Sequence, residues 1–187
     1  MKQGFQQLFI GFLFVFLKIQ IIVDILPDFI GYIFIYNGIK QISTLSNQSY
    51  DKLKTLCIVL AIISVPNFFL NDQMIQQIEW LIYYPSLLNL IKIVLVYYLF
   101  DLLRVVAKLL PTEEAIYRTN RIFSWYMVVT LSTLLTQSFL MNISMDISIQ
   151  LMIIVIVASF IIEIAFLVYL RNIQKQFPKD SVIEKFV

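Results

Sequence analysis

Apolar residues in this chain neither alternate nor trace a single helical stripe; they run in long blocks separated by short polar stretches. The blocks fall at Phe5–Val23, Pro27–Ile42, Leu53–Leu70, Trp80–Phe100, Ile122–Met141 and Gln150–Leu170. A bilayer core about 30 Å thick takes about 20 residues of helix to cross, and a lipid-exposed span must satisfy its backbone internally. The pattern therefore predicts an all-α integral membrane bundle of six transmembrane helices, in three antiparallel hairpins with both termini inside. Residues 1–171 form that domain in this reading, and 172–187 a short cytoplasmic tail.

Proline and acid positions sharpen the boundaries. Pro27 holds the residue before it in extended backbone and suits the start of a helix, while Asp28 then sits at the positive end of the helix dipole. Asp24, Pro27 and Asp28 are thus expected to make a rigid outward turn between the first two spans. Beyond Phe100, Asp101–Leu110 continues as a helix with Arg104 and Lys108 one turn apart among leucines and valines, which reads as an amphipathic extension at the inner interface. Pro111 ends it. Thr112 is positioned to cap the next helix, with Glu113 and Glu114 in its first turn and a Glu114–Arg118 pair at i, i+4.

Charge gives the predicted bundle a direction. The outward segments carry Asp24, Asp28, Asp72, Glu79 and Asp146 and no Lys or Arg, whereas Lys40, Lys52, Lys54, Arg104, Lys108, Arg118, Arg121, Arg171, Lys175, Lys179 and Lys185 fall on the other side. Basic residues near span ends stay cytoplasmic. Aromatic rings settle at headgroup level, and Trp80, Tyr83 and Tyr84 at the outer side, with Tyr97, Tyr98, Trp125, Tyr126 and Tyr169 toward the inner side, agree with that direction.

Composition removes most chemistries. The chain is 60% hydrophobic and 14% charged, with a mean hydropathy of +0.84, against about 25% charged in soluble domains. The net charge of +2 reads as membrane sidedness, with no nucleic-acid partner expected. Cys57 is a single cysteine within an apolar run, expected to be a buried, inert thiol. The absence of histidine removes the commonest general base and metal ligand. No phosphate-binding glycine loop or nucleophile elbow is present. Asp24 and Asp28 make a poor metal site without a further acid. Asn142-Ile-Ser144 is a glycosylation sequon that matters only in a eukaryotic secretory pathway. No catalytic site, metal or cofactor is therefore expected.

Ionisable groups inside spans are costly and face the bundle interior. Lys18 can snorkel outward toward Asp24, and Asp101 has Arg104 one turn away. Lys92 and Glu163 lie near the expected midplane; they either form a mutual salt bridge that fixes packing or serve a solute or proton site. Pro66 and Pro85 lie beside Asn67, Ser86 and Asn89, with Tyr83 and Tyr84 nearby. Breaks at membrane depth are tolerated where they line a cavity, so these residues either line an outward pocket or merely shape the hairpins. Lys92, Glu163, Asn89 and Asn67 form the candidate intramembrane polar site.

The segment Asp24-Ile-Leu-Pro-Asp-Phe-Ile-Gly-Tyr32, followed by an apolar helix and Gly38-Ile-Lys-Gln-Ile-Ser43, resembles the N-terminal signature of an uncharacterised group of small integral membrane proteins from low-GC Gram-positive bacteria. The resemblance implies a multi-pass bacterial plasma-membrane location and no particular activity. In size and span number the chain is also similar to the substrate-binding membrane subunits of energy-coupling-factor vitamin transporters. The leading expectation is a non-enzymatic accessory or immunity-type protein acting through membrane lipid or another membrane protein. The alternative is a small-solute transporter, or its membrane-embedded binding subunit, with its site at mid-membrane. A polar cavity reaching Lys92 and Glu163 discriminates the two.

Overall fold

The computed structural model describes residues 2–16, 27–46, 48–69, 83–111, 113–139 and 144–177, with 67–69 described by backbone alone. These residues form α1 (Lys2–Phe16), α2 (Asp28–Ser43), α3 (Asp51–Phe69), α4 (Tyr84–Lys108), α5 (Glu113–Phe139) and α6 (Met145–Gln176). Among the described residues there is no strand, so the chain is all-α as its blocks predict. Among the described residues two helices, α5 and α6, are long and apolar enough to cross a membrane.

The six helices close into a ring: each packs on the next, and α6 returns to α1. Side-chain contacts show that neighbours run antiparallel. Gln41 donates to Gln7 between α2 and α1, Arg104 to Asn120 between α4 and α5, and Tyr169 to Thr119 between α6 and α5. At the α6–α1 seam, Gln174 donates to the Lys2 carbonyl and Phe177 stacks on Phe5 at 5.6 Å. Alternation of direction brings every described Lys and Arg except Lys92 to one end of the ring, at the starts of α1, α3 and α5 and the ends of α2, α4 and α6.

The core repeats at helical spacing: Phe5, Leu8, Phe12 and Val15 on α1, Ile35, Ile39 and Ile42 on α2, and Leu95, Leu99, Leu102, Leu103 and Val106 on α4 are buried. Phe166 of α6 is its hub. Its ring meets Phe12 edge-on at 5.0 Å, Phe100 at 5.3 Å and Tyr126 at 5.6 Å, joining four helices through geometries that aromatic pairs favour. The outward faces of α5 and α6 are also apolar: Val128, Leu131, Leu135, Phe139, Ile154, Ile161 and Val168 are exposed.

Several boundaries differ from the sequence reading. Asp101–Lys108 continues α4 as a helix, as expected, but Leu102, Leu103, Val106 and Ala107 are fully buried in the bundle rather than lying at an interface. An apolar helical face has the same pattern whether protein or headgroups cover it. Helix α6 runs past Arg171 to Gln176, and Phe177 is buried, so the bundle extends beyond residue 171; 178–187 lie outside the described residues. Tyr126 and Tyr169, expected in an interfacial belt, are buried core residues, whereas Trp125 is exposed. Asp51 opens α3, where the Ser49 hydroxyl and then Lys54 hold its carboxyl below the ordinary range.

Candidate functional site

Three helices direct polar side chains into one space. On α5, Tyr126, Thr130, Thr133 and Gln137 recur at four-, three- and four-residue steps, which places them on one face. Ser159 and Glu163 are one turn apart on α6, and Asn89 and Lys92 one turn apart on α4. These residues line a cavity of about 360 Å³, bounded on the α1 side by Val15 and Phe16 and walled by Ile93, Leu134, Val155, Ile156, Phe160 and Ile162.

The threonines fit a helix because their hydroxyls bond back to the preceding turn: Thr130 donates to the Tyr126 carbonyl at 2.7 Å and Thr133 to the Val129 carbonyl at 2.9 Å. Thr133 and Ser159 also share a 3.1 Å hydrogen bond across α5 and α6. Tyr126 is buried, and its phenol lies within electrostatic reach of Glu163.

Lys92 and Glu163 meet within this polar lining. Lys92 Nζ stands 3.3 Å from Glu163 Oε1, longer than the roughly 2.7–2.9 Å of a tight charge-assisted bond. Their side chains keep 18% and 21% of their surface, so the pair is not sealed by packing; both residues line the cavity. Lys92 also lies over the Phe16 ring, 4.7 Å from its centroid, a favourable place for a cation. Among the described residues the pair uses one of Lys92's three N–H donors and one Glu163 oxygen. Along its helix, Lys92 is about 18 Å from Arg104, given a rise of about 1.5 Å per residue.

Of the sequence candidates, Lys92, Glu163 and Asn89 are thus brought together. The side chain of Asn67 lies outside the described residues, as do Lys18 and Asp24. Pro27 is extended (φ −61°, ψ 126°), and α2 starts at Asp28, which is buried at its first turn. Tyr83 and Ser86 are exposed and do not line the cavity. Tyr84 donates to the Ile63 carbonyl in the turn before Pro66, linking α4 to α3. Arg104 pairs with Asp101 at 2.7 Å and Arg118 with Glu114 at 2.8 Å, both at the basic end. Cys57 is buried away from the cavity.

The sequence reading missed Tyr126, Thr130, Thr133, Gln137 and Ser159. Their regular spacing along otherwise apolar helices was the available signal. Comparison with protein-family models, curated proteins and solved structures finds no match.

Proposed function

We propose that this chain is a multi-pass plasma-membrane protein with six spans and both termini inside, which holds a small polar solute in the cavity between α1, α4, α5 and α6. It would act as a carrier or as the binding subunit of one. Apolar outward faces and a single basic end support the membrane placement. The observation that carries the solute reading is the cavity itself: hydroxyls, amides and an ion pair converge on a space of about 360 Å³, within the roughly 300–1,000 Å³ typical of ligand sites. Burying polar groups in a membrane bundle is expensive. A salt bridge needed only to fix packing would not call for the further polar face of α5.

Direct contact between Lys92 and Glu163 favours a second reading, the accessory protein whose buried pair sets helix register. Thiol access separates the two. In a Cys57→Ser background, Ser159→Cys is expected to react with a small water-soluble methanethiosulfonate in proteoliposomes. A thiol at 159 that stays unmodified at reagent levels that label an exposed control removes support for the solute reading. Identification of solutes and proteins that co-purify from native membranes then names the partner.

A further inference from the structure

Resting on the solute-binding reading, we infer that the ligand is a net-neutral zwitterion with an apolar body, its carboxylate taken by Lys92 and its ammonium by Glu163. Charge balance makes the argument. Among the described residues, the lining contains one cation, Lys92, and one anion, Glu163; its other polar groups are the neutral Asn89, Gln137, Ser159, Tyr126 and two threonines. Without ligand, the two charges satisfy each other across 3.3 Å. A ligand bearing one charge would take one member of the pair and strand the other, the costly outcome for a buried ion pair. A zwitterion replaces one ion pair by two and leaves no charge uncompensated.

The geometry permits that exchange. Lys92 is held from one side by the Phe16 face, so it has an anchor independent of Glu163. The pair is long for a charge-assisted contact and open to the cavity, and among the described residues it leaves N–H donors and carboxylate lone pairs to receive a ligand. Beside the charges, Leu134, Val155, Ile156 and Phe160 form an apolar wall, which suits a hydrocarbon side chain rather than a second polar group. The compact charge pair, with a hydrophobic surface next to it, points to an α-amino acid with an aliphatic or aromatic side chain.

Binding to the purified full-length protein in detergent tests this with glycine, L-leucine, L-phenylalanine, leucinamide, which is only a cation, and N-acetyl-leucine, which is only an anion. Leucine or phenylalanine is expected to bind at least tenfold more tightly than either single-charge analogue and more tightly than glycine. Glu163→Gln is expected to reverse the preference, so that N-acetyl-leucine exceeds leucine. The inference is overturned if leucinamide or N-acetyl-leucine binds wild type within twofold of leucine, or if none of the three zwitterions binds. The labelling of Ser159→Cys in the Cys57→Ser background, run on protein purified in the same way, tells the failures apart. A reactive thiol with no zwitterion bound ends the zwitterion assignment alone; an unreactive thiol ends the solute reading with it.

Discussion

Gly11 and Gly31 lie backbone against backbone. A Cβ on Gly11 would sit 2.6 Å from the Gly31 carbonyl oxygen, and one on Gly31 would sit 2.7 Å from the Gly11 oxygen. The arrangement repeats seven residues along both helices, where a Cβ on Gly38 would come within 2.8 Å of the Gly4 oxygen. The four glycines of the chain are all used at this one seam. If the bundle lies in a membrane as proposed, there is little hydrophobic gain between its helices, and close packing of small residues supplies much of the attraction. The α1–α2 seam is thus closely packed, and α1 carries Phe16, which faces Lys92.

Replacing Gly11 or Gly31 by alanine is therefore expected to destabilise the fold by about 1–3 kcal/mol, the usual cost of overpacking. The sign is the test, because glycine to alanine within an ordinary helix stabilises by about 0.5–1 kcal/mol. Gly4→Ala should cost less, since its nearest neighbours are side-chain atoms, Ile42 Cγ1 at 2.9 Å and Gln41 Cβ at 3.1 Å. Thermal unfolding in detergent measures all three. A Gly11→Ala protein with an unchanged or higher Tm would contradict the backbone contact.

What could be read from the sequence follows from what each signal encodes. Long apolar blocks and the Pro27 break fix helix existence, so α2 and α3 fall close to their expected limits. The same blocks cannot tell which face meets protein. Tyr126 and Tyr169 read as interfacial because an aromatic near a span end has the same local context in a core and at a headgroup. Leu102 and Val106 read as surface-lying because an amphipathic face does not say what covers it. Lys92 and Glu163 stood out as charges in apolar surroundings, yet their contact depends on the registers of α4 and α6, 71 residues apart in the chain. Thr130 and Thr133 escaped notice because a hydroxyl bonded to its own helix is unremarkable one residue at a time. The glycine seam was legible in principle: Gly4 and Gly11 share the seven-residue step of Gly31 and Gly38, which keeps each pair on one face.

The Lys92–Glu163 pair gives a thermodynamic prediction independent of any ligand. Glu163→Gln alone leaves a cation in a part-buried site and is expected to cost about 2 kcal/mol, below the roughly 3–5 kcal/mol of a fully buried pair because the cavity side is open. Lys92→Met combined with Glu163→Gln should recover most of that loss. The coupling energy from unfolding of both singles and the double reports the contact. Additive singles would show that the two residues act independently.

Tyr169 and Thr119 give an asymmetric pair. The Tyr169 hydroxyl donates to Thr119 Oγ1 at 2.7 Å, and the Thr119 hydroxyl in turn donates to the Ala115 carbonyl at 2.7 Å; both residues are buried. Tyr169→Phe keeps the ring contacts with Phe100 and Phe166 and should cost about 0.5–1.5 kcal/mol. Thr119→Val strands the buried phenol and should cost more, about 1–3 kcal/mol. Equal losses in thermal unfolding would mean that the phenol finds another acceptor.

The last prediction concerns sidedness. The described Lys and Arg other than Lys92 gather at the end of the ring formed by the α2–α3 and α4–α5 connections, the start of α1 and the end of α6. The opposite end carries Asp28 and Asp146. If the basic end faces the cytoplasm, Gln48, exposed in the α2–α3 connection, lies inside, and Ser144, exposed just before α6, lies outside. In a Cys57→Ser background, Ser144→Cys should react with a membrane-impermeant maleimide in intact cells, and Gln48→Cys only after permeabilisation. Both positions are exposed, so steric protection does not confound the comparison. Labelling at Gln48→Cys but not Ser144→Cys would invert the protein in the membrane. Labelling of both in intact cells would place the two ends on the same side, which the proposed six-span topology does not allow.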